Sequence, residues 1–155
     1  MWQTNTNTGA PGTAQPGTNG CISNCGTDIV FSDAPAVFRR IGYFQGYNLD
    51  RPCLYMDSSQ IDPSKYTHLH YSFATLSPNY EVLIGNQLSA YEFQKFLGIR
   101  GPKRIVTFGG WDFSTNPQTY QIFRNAVTAS NRVTVAKNIA DFINSRGLDG
   151  VDIGK

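Results

Sequence analysis

Arg104-Ile105-Val106-Thr107-Phe108-Gly109-Gly110-Trp111 and Leu148-Asp149-Gly150-Val151-Asp152-Ile153 decide the fold of this chain. Each is a short apolar run, of the length and texture of a strand buried on both faces of a parallel sheet. Ile41-Gly42-Tyr43-Phe44-Gln45-Gly46-Tyr47 and Thr67-His68-Leu69-His70-Tyr71-Ser72-Phe73-Ala74 have the same character. Helical signals lie between them. Ser89 and Glu92 have capping-box spacing, with Phe93, Phe96 and Leu97 following on one face and Gly98 or Gly101 as the stop. Asn116-Pro117 reads as an N-cap with Pro at N1, leading a helix whose face carries Tyr120, Phe123 and Val127. After Ser130-Asn131, a second helix carries Val133, Ala136, Ile139, Ala140 and Ile143, with Gly147 at its C′ position. The order is strand, connection, strand, helix, strand, two helices, strand, which is a run of βαβ units. Two architectures fit: a doubly wound sheet, or the first half (about four β/α units) of a TIM (β/α)8 barrel. The chain carries no GxGxxG after a strand, which the dinucleotide-binding version of the first would require.

The chain has 155 residues, formal net charge +2 and only 15% charged residues. That charge content is well below the roughly 25% typical of soluble domains. Thr, Asn, Ser and Gly take up the difference, in the style of secreted proteins. The 13 Lys and Arg are scattered from Arg39 to Lys155, so the basic stripe of a nucleic-acid binder is missing. No apolar run approaches the roughly 18 residues of a membrane helix. Any fold that needs about 250 residues is expected to be incomplete at this length. Met1-Trp2-Gln3-Thr4-Asn5 has neither a basic n-region nor an apolar h-region, so the expectation is a chain without its own leader. Residues 1–20, rich in Thr, Asn, Gly, Pro and Gln, read as a flexible linker. Residues 21–38 form a connector that opens on Cys21 and Cys25, and residues 39–155 form the folded part. A CxxxC pair without a neighbouring His makes a poor zinc site and reads as a local disulfide. Cys53 has no evident partner. Nothing in the pattern asks for a metal or a cofactor.

In a parallel α/β fold chemistry gathers at the C-terminal ends of the strands. Those ends carry Tyr43 and Tyr47, then Phe73, then Thr107, Gly109, Gly110, Trp111 and Asp112, then Asp149 and Asp152. Aromatic rings stack on the apolar faces of sugars and carboxylates bond hydroxyls or move protons, so the mouth points to a carbohydrate site. Strand alternation sends Asp152 inward and turns Asp149 the other way, if the strand is already regular there. Asp149-Gly150 is also a common turn dipeptide, and Tyr43 and Phe73 read equally as core. His68 and His70 alternate along their strand, show no metal-ligand pattern and read as structural.

These residues resemble glycoside hydrolase family 18, the chitinases. Asp149-Gly150-Val151-Asp152-Ile153 is similar to the start of the family's DGxDxDxE signature. Thr107-Phe108-Gly109-Gly110-Trp111 resembles its SxGG segment with Thr for Ser, and Arg40-Ile41-Gly42-Tyr43-Phe44 resembles its first strand. The stretch from about Arg39 to Ile153 is similar to the killer-toxin-like fungal chitinases. Cys21-Ile22-Ser23-Asn24-Cys25-Gly26 resembles the last cysteine loop of a hevein-like chitin-binding module, which implies that Cys21 and Cys25 pair. The resemblance implies an extracellular parent acting on β-1,4-linked N-acetylglucosamine polymers by substrate-assisted retaining catalysis. Tyr43 and Thr107 would bond the inner acid Asp152, Trp111 would floor the cleavage subsite, and Phe73, Gly109 and Gly110 would line the cleft. The signature would continue with Asp, Trp and Glu, whereas this chain reads Gly154-Lys155. The expectation is therefore a truncated chitinase, inactive as this chain, with chitin or chito-oligosaccharide as partner. Self-association through open sheet edges is also expected. The other readings are a non-catalytic oligosaccharide-binding protein and a fragment without autonomous function.

Overall fold

Successive parallel strands of this protein are neighbours in space. The computed structural model describes residues 36–154. The strands are β1 (Ile41–Gln45), β2 (His68–Leu76), β3 (Val82–Leu83), β4 (Lys103–Gly109) and β5 (Gly150–Gly154). The helices are α1 (Gln87–Phe96), α2 (Trp111–Thr115), α3 (Tyr120–Ala126) and α4 (Arg132–Ser145). The parallel strands lie in the order β1-β2-β4-β5, while β3 folds back antiparallel on the end of β2. A doubly wound sheet reverses its order at a switch point. This run does not reverse, and it has the order of an arc of barrel. Contacts divide the chain between Phe38 and Arg39, and every element above belongs to the unit that begins at Arg39. The linker expected over 1–20 and the loop with Cys21 and Cys25 lie outside the described residues. Among the described residues no helix is long and apolar enough to cross a membrane.

Alternation along the strands separates core from site. One face of β1, β2 and β4 carries Phe44, Leu69, Tyr71, Val106 and Phe108, all buried. Tyr71 is fully enclosed: its ring centroid lies 5.0 Å from that of Phe93 and 5.5 Å from that of Phe96, both on α1. Its hydroxyl donates to Ser89 O at 2.6 Å. Burial, and then the nearby Glu92 carboxylate, push the Tyr71 phenol above its ordinary value. The Phe93 ring in turn stacks on Phe142 of α4 at 5.8 Å. The β1–β2 connection is tied to α1 at several points, among them Asp57 with Lys95 and Ser58 with Glu92. Glu92 accepts from Ser58 N at 2.8 Å, and Ser58 Oγ donates to Glu92 O at 3.2 Å.

Several local signals resolve differently from their sequence reading. Asn86, not Ser89, caps α1, with its Oδ1 accepting from Ser89 N at 2.9 Å. Glu92, fully buried, reaches inward to Ser58 instead of closing a capping box. Asn116-Pro117 forms a turn ahead of α3, because Asn116 O takes the N–H groups of Thr119 and Tyr120 and so delays the helix to Tyr120. Val127 is 73% exposed, whereas Phe123 meets Phe113 edge-on at 4.9 Å. On α4 the sheet buries Val135 and Ile143 and leaves Val133 outside. Apolar residues sit on more than one face of that helix, and packing chooses between them. The short strand β3 and the single-turn helix α2 carry no periodic signal of their own.

Candidate functional site

The face of the sheet opposite the core presents polar residues at matching register. Tyr43 pairs with His70 across β1 and β2, Ser72 with Thr107 across β2 and β4, and Thr107 with Asp152 across β4 and β5. Side chains two residues apart on one strand share a face. Tyr43, His70, Thr107 and Asp152 therefore converge from four different strands. The point of convergence is a single atom, Asp152 Oδ2. Tyr43 donates its hydroxyl to it at 3.1 Å and Thr107 donates its hydroxyl at 3.1 Å. His70 Nδ1 lies 3.2 Å from it and 3.2 Å from Thr107 Oγ1. Every side-chain hydrogen bond of Asp152 among the described residues falls on Oδ2, which leaves Oδ1 without a side-chain partner among them. Partial burial of its hydroxyl, followed by the hydrogen bond and negative charge of Asp152, holds the Tyr43 phenol above its ordinary value. Tyr43 thus stays a proton donor across the neutral range.

The rim of this face is apolar and glycine-rich. β4 ends in Gly109 and the next helix is capped by Gly110, both at positive φ, and Trp111 follows as the first residue of α2, 74% exposed. A methyl group on Gly110 would sit 3.0 Å from the Phe73 ring, so the glycine lets backbone and ring close together. Gly154 at the end of β5 lies beside the same ring and beside Thr107 Cγ2. Tyr47, just beyond β1, is 41% exposed, with the Arg51 guanidinium 5.7 Å from its ring centroid. The rim therefore offers rings for stacking above a floor of hydrogen-bonding groups. Among the described residues no cluster of three His, Cys, Asp or Glu side chains could hold a metal. Cys53 lies exposed in the β1–β2 connection.

The residues expected from sequence divide into two sets. Tyr43, Thr107 and Asp152 meet at hydrogen-bonding distance, while Phe73 lies within β2, Gly109 ends β4, and Gly110 and Trp111 follow it. Asp149 stands apart. It precedes β5, and its carboxylate accepts from Lys103 Nζ at 3.0 Å and Arg104 N at 2.9 Å. Those bonds pin the start of β5 to the start of β4, at the opposite end of the strands from Trp111. The Arg104 N–H, ahead of the Lys103 ammonium, holds the Asp149 carboxyl below the usual carboxylate range. Asp149→Ala strands that N–H and is expected to cost about 1–2 kcal/mol at neutral pH. A lowered folded pKa stabilises above the ordinary value of about 3.9 and fades as pH falls through the lowered one. Denaturant melts of wild type and variant should therefore converge in acid; a gap that persists unchanged at low pH contradicts this role.

His70 joins the site although its sequence pattern read as structural. Its signal was parity: it lies two residues before Ser72 and faces the same side as Tyr43 and Thr107. His68 turns instead to Thr67 Oγ1, 2.9 Å from its Nδ1.

Known proteins resemble this chain in sequence and in fold. The family described as "Glycosyl hydrolases family 18" matches residues 39–154. The secreted chitinase LysM12 of Penicillium expansum is 57% identical over 150 residues, covering 97% of this chain and 10% of its own length. The killer toxin subunits alpha/beta of Kluyveromyces lactis are 41% identical over 143 residues, covering 91% of this chain and 12% of their own length. Human YKL-39, described as a pseudo-chitinase with retained chitooligosaccharide binding properties, superposes with a TM-score of 0.62. Its identity is 21%, over 76% of this chain and 32% of that one. The chain thus spans about a tenth of the length of these curated relatives and about a third of that barrel.

Proposed function

The chain belongs to glycosyl hydrolase family 18, with its killer-toxin-like fungal members among its relatives, and we propose that it carries the chitooligosaccharide-facing first half of a chitinase barrel, competent to bind but not to cleave. The observation that carries this reading is the Asp152 carboxylate gripped by Tyr43, His70 and Thr107, with Trp111 exposed just past the end of β4. In the substrate-assisted mechanism the sugar's own acetamido oxygen attacks the anomeric carbon, and a signature Glu protonates the leaving oxygen. Asp152 corresponds to the inner acid of that signature, which shares charge and a proton with the next Asp. Gly154 stands where that next Asp would orient the acetamide. Asp152, held through Oδ2 by three partners, is a positioned hydrogen-bond acceptor rather than an acid aimed at a leaving group.

The secreted relative supports an extracellular parent, and the chitooligosaccharide-binding neighbour supports the class of ligand. Val151 and Ile153, 46% and 61% exposed on the last strand, favour self-association of the isolated chain. The test uses the purified 155-residue polypeptide. Expected are no release of chromophore from a chitobioside above the buffer blank, and chito-oligosaccharide binding that weakens on the order of tenfold in Trp111→Ala. Turnover above the blank would sink the non-cleaving reading, and unchanged binding by the variant would sink the role of the mouth.

A further inference from the structure

The protons around Asp152 Oδ2 obey a count. The Tyr43 and Thr107 hydroxyls each own one hydrogen, and both are spent on Asp152. Thr107 Oγ1 is then an acceptor toward His70, as is Asp152 Oδ2, and His70 Nδ1 lies 3.2 Å from each. Two acceptors facing one ring nitrogen require that nitrogen to carry the hydrogen. His70 is 9% exposed, and the tilted Tyr43 ring lies against its imidazole with centroids 4.5 Å apart. The ionisable groups facing it are Tyr43 from β1 and Asp152 from β5. β4 presents Ile105 and Thr107, which do not ionise, and His68 on its own strand bonds Thr67.

We propose that His70 is a positioning residue for Asp152: it is fixed as the Nδ1–H form, shares that hydrogen between Thr107 Oγ1 and Asp152 Oδ2, and thereby turns Asp152 Oδ1 toward the saccharide. The saccharide clause rests on the chitooligosaccharide reading above, whereas the proton assignment stands without it. Asp152 has three donors from three strands, so its carboxylate cannot rotate without breaking bonds to all of them. His70 is buried and also bonds Thr107, and so locks two of the three donors to each other. A purely structural histidine in the same place would fill space against Tyr43 with either ring nitrogen protonated.

Two measurements on the full 155-residue chain test this. Nitrogen-15 NMR of the histidine rings in the ligand-free protein distinguishes Nδ1–H from Nε2–H directly; the Nδ1–H pattern is expected for His70, and an Nε2–H pattern overturns the proposal. The second compares chito-oligosaccharide affinity in His70→Asn and His70→Gln. The Asn amide nitrogen sits where Nδ1 does, and the Gln amide nitrogen sits where Nε2 does. Loss of a hydrogen bond to a charged group predicts affinity about tenfold or more weaker in His70→Gln, with His70→Asn recovering most of it. Equal affinities in the two folded variants overturn the positioning role. The ring measurement needs neither a variant nor a ligand, so it decides the proton assignment even if a variant fails to fold. A chain that shows the Nδ1–H ring and binds no chito-oligosaccharide defeats both the ligand reading and the saccharide clause, and leaves the proton assignment standing.

Discussion

Tyr71→Ala is expected to lower the unfolding free energy of the chain by about 3–5 kcal/mol, the range for truncating a fully buried aromatic. The ring is wholly enclosed between β2 and α1, in contact with Phe44, Phe93 and Phe96. Its removal leaves a cavity that these rigid rings fill poorly, and it strands Ser89 O, which the Tyr71 hydroxyl satisfies at 2.6 Å. Gly46 bears on the same hydroxyl. A Cβ there would lie 2.1 Å from Tyr71 Oη, so the chain passes this point only as glycine while the tyrosine is in place. The double change Gly46→Ala with Tyr71→Ala should consequently cost less than the sum of the two single changes. Urea unfolding followed by circular dichroism measures both. A Tyr71→Ala penalty below about 1 kcal/mol would show that α1 does not depend on this ring.

Gly109→Ala is expected to destabilise by roughly 2–4 kcal/mol, combining backbone strain with overpacking, and to weaken saccharide binding at the same time. Gly109 has φ +102, a region that side-chain-bearing residues avoid. Its Cβ would lie 2.3 Å from Gly154 O and 2.7 Å from the Phe123 ring. Gly154 O is the acceptor of Gly110 N at 3.2 Å, the last bond between β4 and β5. Forcing the carbonyl away opens the two strands at the end where Thr107 meets Asp152, so stability and site geometry fail together. Differential scanning calorimetry with oligosaccharide titration separates the two effects. A variant that melts like wild type would mean that the β4–β5 mouth yields freely, which the backbone-to-backbone clash argues against.

Much of the site was readable from residue order because strand periodicity is local. The apolar runs around Tyr43, His70, Thr107 and Asp152 mark four strands, and a period of two turns Asp152 inward. His70 is harder to place from sequence for a related reason. Its own strand says which side it faces, but only the register with β1, β4 and β5 brings Tyr43, Thr107 and Asp152 to it. Asp149 shows the converse. It belongs to the same motif as Asp152, yet it sits before the strand begins, where its nearest donors are Lys103 and Arg104 from a strand about forty residues earlier. Caps were the least legible feature. Asn86, Ser89, Asn116 and Thr119 all have capping chemistry, and long-range contacts such as Ser58 with Glu92 select among them.

By itself the sequence determined the class of fold, the order of its strands and helices and the inward turn of one acid, because these follow from short-range sterics and from apolar spacing. Tertiary structure decided which candidates share a site. Parallel pairing sets residues from four strands, separated by up to 109 positions in the chain, around one carboxylate oxygen. Hydrogen-bond geometry of that kind depends on register, and register is a property of the assembled sheet.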